Sequence, residues 1–313
     1  MAEDSITVFD RRLLRMRRDR VAGTYGDHDF LLREVCERLA DRLLDVRRQF
    51  PLALDLGCHC GELAELLNGR GGIETLLQSD ISSRMARAAA ANGHQAVVAD
   101  EEMMPFADGA FDLVLSALSL HWVNDLPGAL LQAHRALKPD GLFLAAMLGG
   151  ETLYELRAVL TQAESEIVGG VNPRVSPVVE LREAAGLMQR AGFALPVADS
   201  DTITVHYKNP LRLLTDLRAM GESSVLADRS RRPLRRDVVM RALEIYSDRF
   251  ARPDGRVPAT FQVIFLTGWR PHSSQPQPLR PGSAEARLAE ALDTKEKPAG
   301  DKAAPNPTGP RRR

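Results

Sequence analysis

In the first half of the chain, apolar residues gather into short unbroken runs, each separated from the next by a stretch with helical spacing. Runs near 51–56, 73–79, 95–99, 111–116 and 141–148 predict strands buried on both faces. Strands alternating with helices form a βαβ series, which places a parallel sheet between two helical layers. Pro51 opens the first run, where no ladder donor is lost. Before the fifth run, Pro139 should stop the helix and Gly141 should permit the reversal. Beyond residue 150 the pattern loosens. Helices are expected at 151–166, 179–191, 210–220 and 235–250, a strand at 201–207, and a last apolar strand at 259–267.

The two ends differ from this middle. Residues 1–30 read as a basic helical leader, with Phe9, Leu13 and Met16 on one side and Arg11, Arg12, Arg15, Arg17, Arg18 and Arg20 on the other. The expectation is a solvated helix laid over the cleft of the main domain, with peripheral membrane contact as the alternative. From Pro271 the chain is rich in Pro, Ser, Gly, Ala and charge, which predicts a disordered tail over 271–313 with a transient helix at 284–292. The domain proper is then 31–270, divided into 31–150 and 151–270.

The chemistry concentrates after the first strand. Leu52–Leu56 runs into Gly57-Cys58-His59-Cys60-Gly61 and then a helix beginning at Glu62. Glycines let the backbone turn sharply and approach a ligand, and the helix N-terminus offers free N–H groups. A dinucleotide fingerprint, G-x-G-x-x-G, would need glycine at positions 59 and 62, which hold His59 and Glu62. A carboxylate at Glu62 also opposes a pyrophosphate. Asp80 ends the second run, where it can accept both hydroxyls of a ribose, and Asp100 ends the third, where it can accept from an adenine amino group. Acids at successive strand ends suit S-adenosylmethionine, which carries no phosphate, better than NAD.

Composition narrows the field. A 44% hydrophobic fraction over 313 residues supports a full core, and a net charge of −1 argues against general nucleic-acid binding. Three cysteines are too few for a disulfide framework, which suggests a reducing compartment. No apolar run reaches the ~20 residues of a membrane span. Cys58-His59-Cys60 offers adjacent side chains that diverge, so a tetrahedral metal site is not expected. No histidine has an acid two positions later, which leaves a non-haem iron site without local support. His121 and Trp122, at the mouth of the fourth strand, and Tyr154, just after the fifth, are weak catalytic candidates against ordinary packing.

The first half resembles the class I S-adenosylmethionine-dependent methyltransferases through the glycine turn, Asp80, Asp100, Phe111–Ser116 and Leu137–Leu144. That resemblance implies a Rossmann-like α/β fold: a seven-stranded, mostly parallel sheet with helices on both faces and an antiparallel last strand at its edge. It implies cofactor contacts from Asp55, Gly57, His59, Gly61, Asp80, Ile81, Asp100, Glu101 and Ser116, although His59 stands where the family has its middle glycine. Residues 5–270 also resemble a narrower family, the mitochondrial complex I assembly factors described as arginine hydroxylases and their alphaproteobacterial relatives. Val8–Arg11, Phe50–Cys58, Ala99–Glu102, Leu118–Pro127, Gly149–Arg157, Met220–Ser223 and Val257–Thr260 carry the match. This implies a protein partner, a complex I subunit modified at an arginine, and a bacterial cytoplasmic location with peripheral contact at the inner membrane. The competing readings are a carrier-protein carboxyl methyltransferase of the malonyl type used in biotin synthesis and a non-catalytic assembly chaperone.

Overall fold

The computed structural model describes residues 7–67, 69–230, 232–276, 288–295 and 300. A compact unit ends at Ser273, and residues from Ser274 onward form a second unit. The second unit includes the helical turn α10 (Leu288–Ala291), while most of the expected tail lies outside the described residues.

Seven strands among the described residues form one sheet in the order β3-β2-β1-β4-β5-β7-β6. β1 (Leu52–Leu56), β2 (Thr75–Asp80), β3 (Gln95–Val98), β4 (Phe111–Ala117) and β5 (Leu137–Leu148) pair in parallel. β7 (Val257–Trp269) runs antiparallel to both its neighbours, β5 and β6 (Ala194–Tyr207). The antiparallel last strand is therefore not at the edge, as expected, but inserted between β5 and β6. The side chains explain the order. β7 is buried along almost its whole length, whereas β6 carries Asp199, Asp201, Thr202 and Thr204 and stays half-exposed, which suits an edge.

The helices are α1 (Arg11–Val21), α2 (Phe30–Asp41), α3 (Glu62–Leu67), α4 (Ser83–Ala91), α5 (Leu126–Ala136), α6 (Tyr154–Val168), α7 (Leu181–Arg190), α8 (Pro210–Ala219) and α9 (Arg236–Phe250). Several carry their own start signals. Asp10, Ser82 and Asp125 accept from the backbone N–H groups of Leu13, Met85 and Gly128, and Glu180 with Glu183 forms a capping box. Two apolar cores flank the sheet. One packs α2, α6 and α9 on one face, and the other packs α5 and α7 on the opposite face. At the turn into β5, the left-handed residue is Asp140 (φ +64°) rather than Gly141. Gly141 is needed for a different reason: a Cβ there would lie 2.8 Å from the Lys138 carbonyl oxygen.

The leader docks onto the domain through a third, smaller core of Phe9, Leu14, Trp122, Val225 and Leu226. Phe9 meets the Trp122 ring edge-on at 5.5 Å. The buried stripe of α1 is Leu14, Arg18 and Val21, and Met16 faces out, so the apolar side expected from Phe9, Leu13 and Met16 is rotated. Backbone bonds from Asp10 N–H to Val225 and from Ala227 N–H to Val8 hold its start in place.

Candidate functional site

The turn after β1 is built of residues in unusual backbone states. Gly57, His59 and Gly61 all have positive φ, at +75°, +51° and +100°. Gly57 has no room for a side chain, since a Cβ would lie 2.2 Å from Ser119 Oγ. His59 carries the left-handed conformation with a side chain, and the surroundings compensate that cost. Its ring stacks on Tyr25 at 5.6 Å, and Nε2 faces the carbonyl oxygens of Ala117 and Leu118 at 3.2 and 3.3 Å. Carbonyls only accept, so Nε2 carries the proton and Nδ1 accepts from the Tyr25 hydroxyl at 3.3 Å. Burial, with Arg18 adding repulsion, pushes the imidazole down to about 3, so the ring is neutral.

The acids at the strand ends converge as the sequence suggests, and two arginines of α1 meet them there. Asp80 is fully buried and accepts from Ser82 N–H at 2.7 Å, His59 N–H at 3.2 Å and the Arg18 guanidinium at 2.9 Å. Arg18 itself is 2% exposed and also donates to Ser119 Oγ. Arg11 bridges Asp100 at 2.5 Å and Glu101, and Ser119 Oγ donates to Glu101 at 2.5 Å. Burial pushes Asp80 up to about 6 against the pull of Arg18. At Glu101 burial acts in the same direction, but Arg11, Arg18 and Ser119 outweigh it and hold the carboxyl down at about 2. Both are ionised at neutral pH.

Asp55 is different. It is fully buried and neither carboxylate oxygen has a well-formed hydrogen bond; the same holds for the side-chain amide of Gln78. Burial, then Glu62 and Asp80, pushes this carboxyl up to about 8. A raised carboxyl pKa contributes stability while the group is protonated and loses it as pH rises from the unfolded value toward 8. The ligand-free Asp55→Asn protein should therefore melt higher than the parent by several degrees at pH 8 and by less at pH 5. A gain that shrinks with rising pH would contradict this assignment. Among the other expected contacts, Ile81 is buried, and Ser116 donates to the Leu56 carbonyl at 2.7 Å, tying β4 to β1.

Beyond the strand ends lies an apolar cavity of about 470 Å³ walled by Leu148, Leu153, Leu156, Leu217 and Phe261. The wall also carries Arg174 and Arg218, and its acidic residue is Glu222, which accepts from His121 Nε2 at 3.2 Å and from Trp122 Nε1 at 3.3 Å. Burial opposes ionisation of Glu222, but His121 and Arg18 hold its carboxyl below the usual range. Because a carboxylate only accepts, His121 Nε2 must carry a proton, which leaves the buried Nδ1 without a partner. Tyr154 is not brought here. It is 46% exposed and packs edge-on against Phe250. From sequence alone, Glu222, Arg11 and Ser119 stand only within the runs Met220–Ser223, Val8–Arg11 and Leu118–Pro127, and Arg18 only on the basic face of the leader. Glu155 and Thr260, from two other noted runs, bond each other at 2.5 Å beneath the cavity. Among the described residues, no three His, Cys, Asp or Glu side chains gather to hold a metal ion.

With this geometry in view, the comparisons with known proteins agree. Residues 54–145 match the family model described as "Methyltransferase domain". The chain is 44% identical to arginine-hydroxylase NDUFAF5, mitochondrial, of Danio rerio, over 92% of this chain and 91% of that one. It is 35% identical to a malonyl-[acyl-carrier protein] O-methyltransferase of Laribacter hongkongensis, over 84% and 90% of the two chains. The YcgJ protein of Bacillus subtilis shares the fold at 15% identity, with a TM-score of 0.54 over 75% of this chain and 98% of that one. The chain belongs to the class I methyltransferase-fold family, in the group that includes the arginine-hydroxylase NDUFAF5 proteins.

Proposed function

We propose that this protein binds S-adenosylmethionine at the ends of β1–β4 and modifies an arginine of a respiratory complex I subunit during assembly, with hydroxylation the modification the relatives' name implies. The observation that carries this reading is convergence in space. Gly149–Arg157 and Met220–Ser223, far apart in sequence and outside the methyltransferase match, both line the cavity holding Glu222, and Val257–Thr260 is tied to the first of them by the bond from Thr260 to Glu155. Of the three, the first supplies Leu153 and Leu156 and the second supplies Glu222.

The residues at the strand ends fit this cofactor. Asp55 has two buried oxygens without well-formed bonds, a place for the cofactor's ammonium, and Asp80 is the carboxylate for its ribose. Arg18 now holds Asp80, so binding requires the guanidinium to move aside. When bound, the cofactor supplies an electrophilic methyl group on a sulfonium. Oxygen insertion into arginine needs a dioxygen-derived oxidant that this cofactor does not supply. The chain's own part is recognition and proton handling: Glu222 would take the substrate guanidinium, and the free Nδ1 of His121 would accept a proton.

A protein partner follows from this reading. We place the protein in a bacterial cytoplasm, peripheral at the inner membrane; no helix of the described residues is long and apolar enough to cross a membrane. Carboxyl methyl transfer on a carrier protein is the second reading, favoured by the Laribacter similarity. It needs only in-line placement of carboxylate and sulfonium.

Thermal melting tests the cofactor assignment. S-adenosylmethionine at 100 times its Kd should stabilise the protein by about 2.7 kcal/mol, and NAD should give no shift. No shift with millimolar S-adenosylmethionine would move the protein to the chaperone reading.

A further inference from the structure

Next to the apolar cavity lies a second one, of about 590 Å³, whose wall includes Arg17, Arg20, Arg174, Arg218, Arg229 and Arg232. Among the described residues, none that lines it is acidic. The chain as a whole is balanced, with 41 basic and 42 acidic residues, so this is segregation rather than a generally basic surface. Arg174 is neutralised by Glu164 at 2.6 Å, and Arg229 approaches Asp10 at 3.4 Å. Arg17 donates from Nη1 to the carbonyl oxygens of Ser223 and Ser224. Arg20, Arg218 and Arg232 have no carboxylate partner among the described residues. Partial burial lowers Arg17, and repulsion from Arg229, Arg20 and Arg218 lowers it further against the weaker pull of Asp10. The two cavities share Arg174, Arg218, Ser223, Ser224, Pro233 and Leu234 as walls.

We infer that the arginine-lined vestibule recognises carboxylates flanking the substrate residue, so the partner presents its arginine within an acidic protein segment. This rests on the proposed function for the central arginine. The vestibule repels an isolated cation, so an arginine reaching Glu222 through it needs carboxylates of its own nearby. Guanidinium groups match carboxylates in paired hydrogen bonds. A single-stranded nucleic acid would supply anions too, but its bases need stacking partners, and among the described residues the vestibule wall holds no aromatic side chain.

Three labelled peptides of equal length, added to the full chain and followed by fluorescence anisotropy, test this. The first has a central arginine with Asp and Glu flanks, the second has Ser and Gln flanks, and the third keeps the acidic flanks with glutamine at the centre. The acid-flanked arginine peptide should bind at least about ten-fold tighter than the neutral-flanked one at low salt, and the gap should narrow as salt screens the charges. Arg218→Glu and Arg20→Glu, both at exposed positions, should each abolish the preference. Arg15→Glu, exposed on the same helix but outside the vestibule, should leave it intact. Equal binding of the acidic and neutral peptides, equal loss with Arg15→Glu, or displacement of the acidic peptide by a tighter-binding RNA oligonucleotide would overturn the inference. If the third peptide binds as well as the first, the vestibule assignment stands and the arginine reading falls.

Discussion

Arg18→Met should lower the stability of the ligand-free protein by about 3–5 kcal/mol, the usual cost of leaving a buried charge without its partner. For a domain of this size that corresponds to a fall in melting temperature of roughly 10 °C. Methionine keeps most of the apolar stem, so the loss reports the guanidinium rather than a cavity. The reason lies in the burial of both partners: Arg18 is 2% exposed, Asp80 is fully buried, and Glu101 lies 3.7 Å from the same guanidinium nitrogen. The pH dependence carries a sign. Without Arg18, both carboxyls move up from about 6 and about 2, and a raised carboxyl loses stability as pH rises. The deficit should therefore be larger at pH 8 than at pH 5. A variant that melts with the parent at both values would show that α1 does not hold these acids.

Glu222→Gln should leave the fold intact and cut arginine modification by about 10- to 100-fold, the loss of one charge-assisted hydrogen-bonded contact. Glutamine keeps the shape: its one amide oxygen accepts from Trp122 Nε1, and its NH2 donates to His121 Nε2 once that ring takes its other tautomer. What disappears is the negative charge in the cavity wall, the feature there that attracts a guanidinium over a neutral side chain of similar length. The defect should appear chiefly in the apparent substrate affinity, with melting temperature and cofactor binding close to the parent. Unchanged modification would remove Glu222 from the site.

The sequence carried the frame of this site well. An apolar run that ends in an acid at a turn is a local signal, so Asp55, Asp80 and Asp100 could be placed on strand ends before any coordinates. The arginines of α1 could not. Helical periodicity marks the buried stripe by its apolar members, and a buried arginine at position 18 reads as a solvated one until its partners at 80 and 101 are brought beside it by the fold. The same limit applies to Glu222, whose run was noted for resemblance, yet whose role depends on His121 and Trp122 a hundred residues earlier. Tyr154 failed in the opposite direction. It follows β5 in sequence, but α6 turns it outward to Phe250. The order of β6 and β7 was lost because strand neighbours are set by long connections, and only the polar composition of β6 hinted at an edge.

The central claim is that this chain modifies an arginine of complex I, and one measurement addresses it directly. The gene is deleted in its host and restored with either the parent sequence or Glu222→Gln, and peptides of the isolated complex I subunits are compared by mass spectrometry. One arginine-containing peptide should carry an added oxygen in the strain restored with the parent sequence, lack it in the deletion and largely lack it with Glu222→Gln. Identical arginine peptides in all strains, with intact complex I and a requirement for biotin in the deletion, would contradict it and assign the protein to carboxyl methyl transfer.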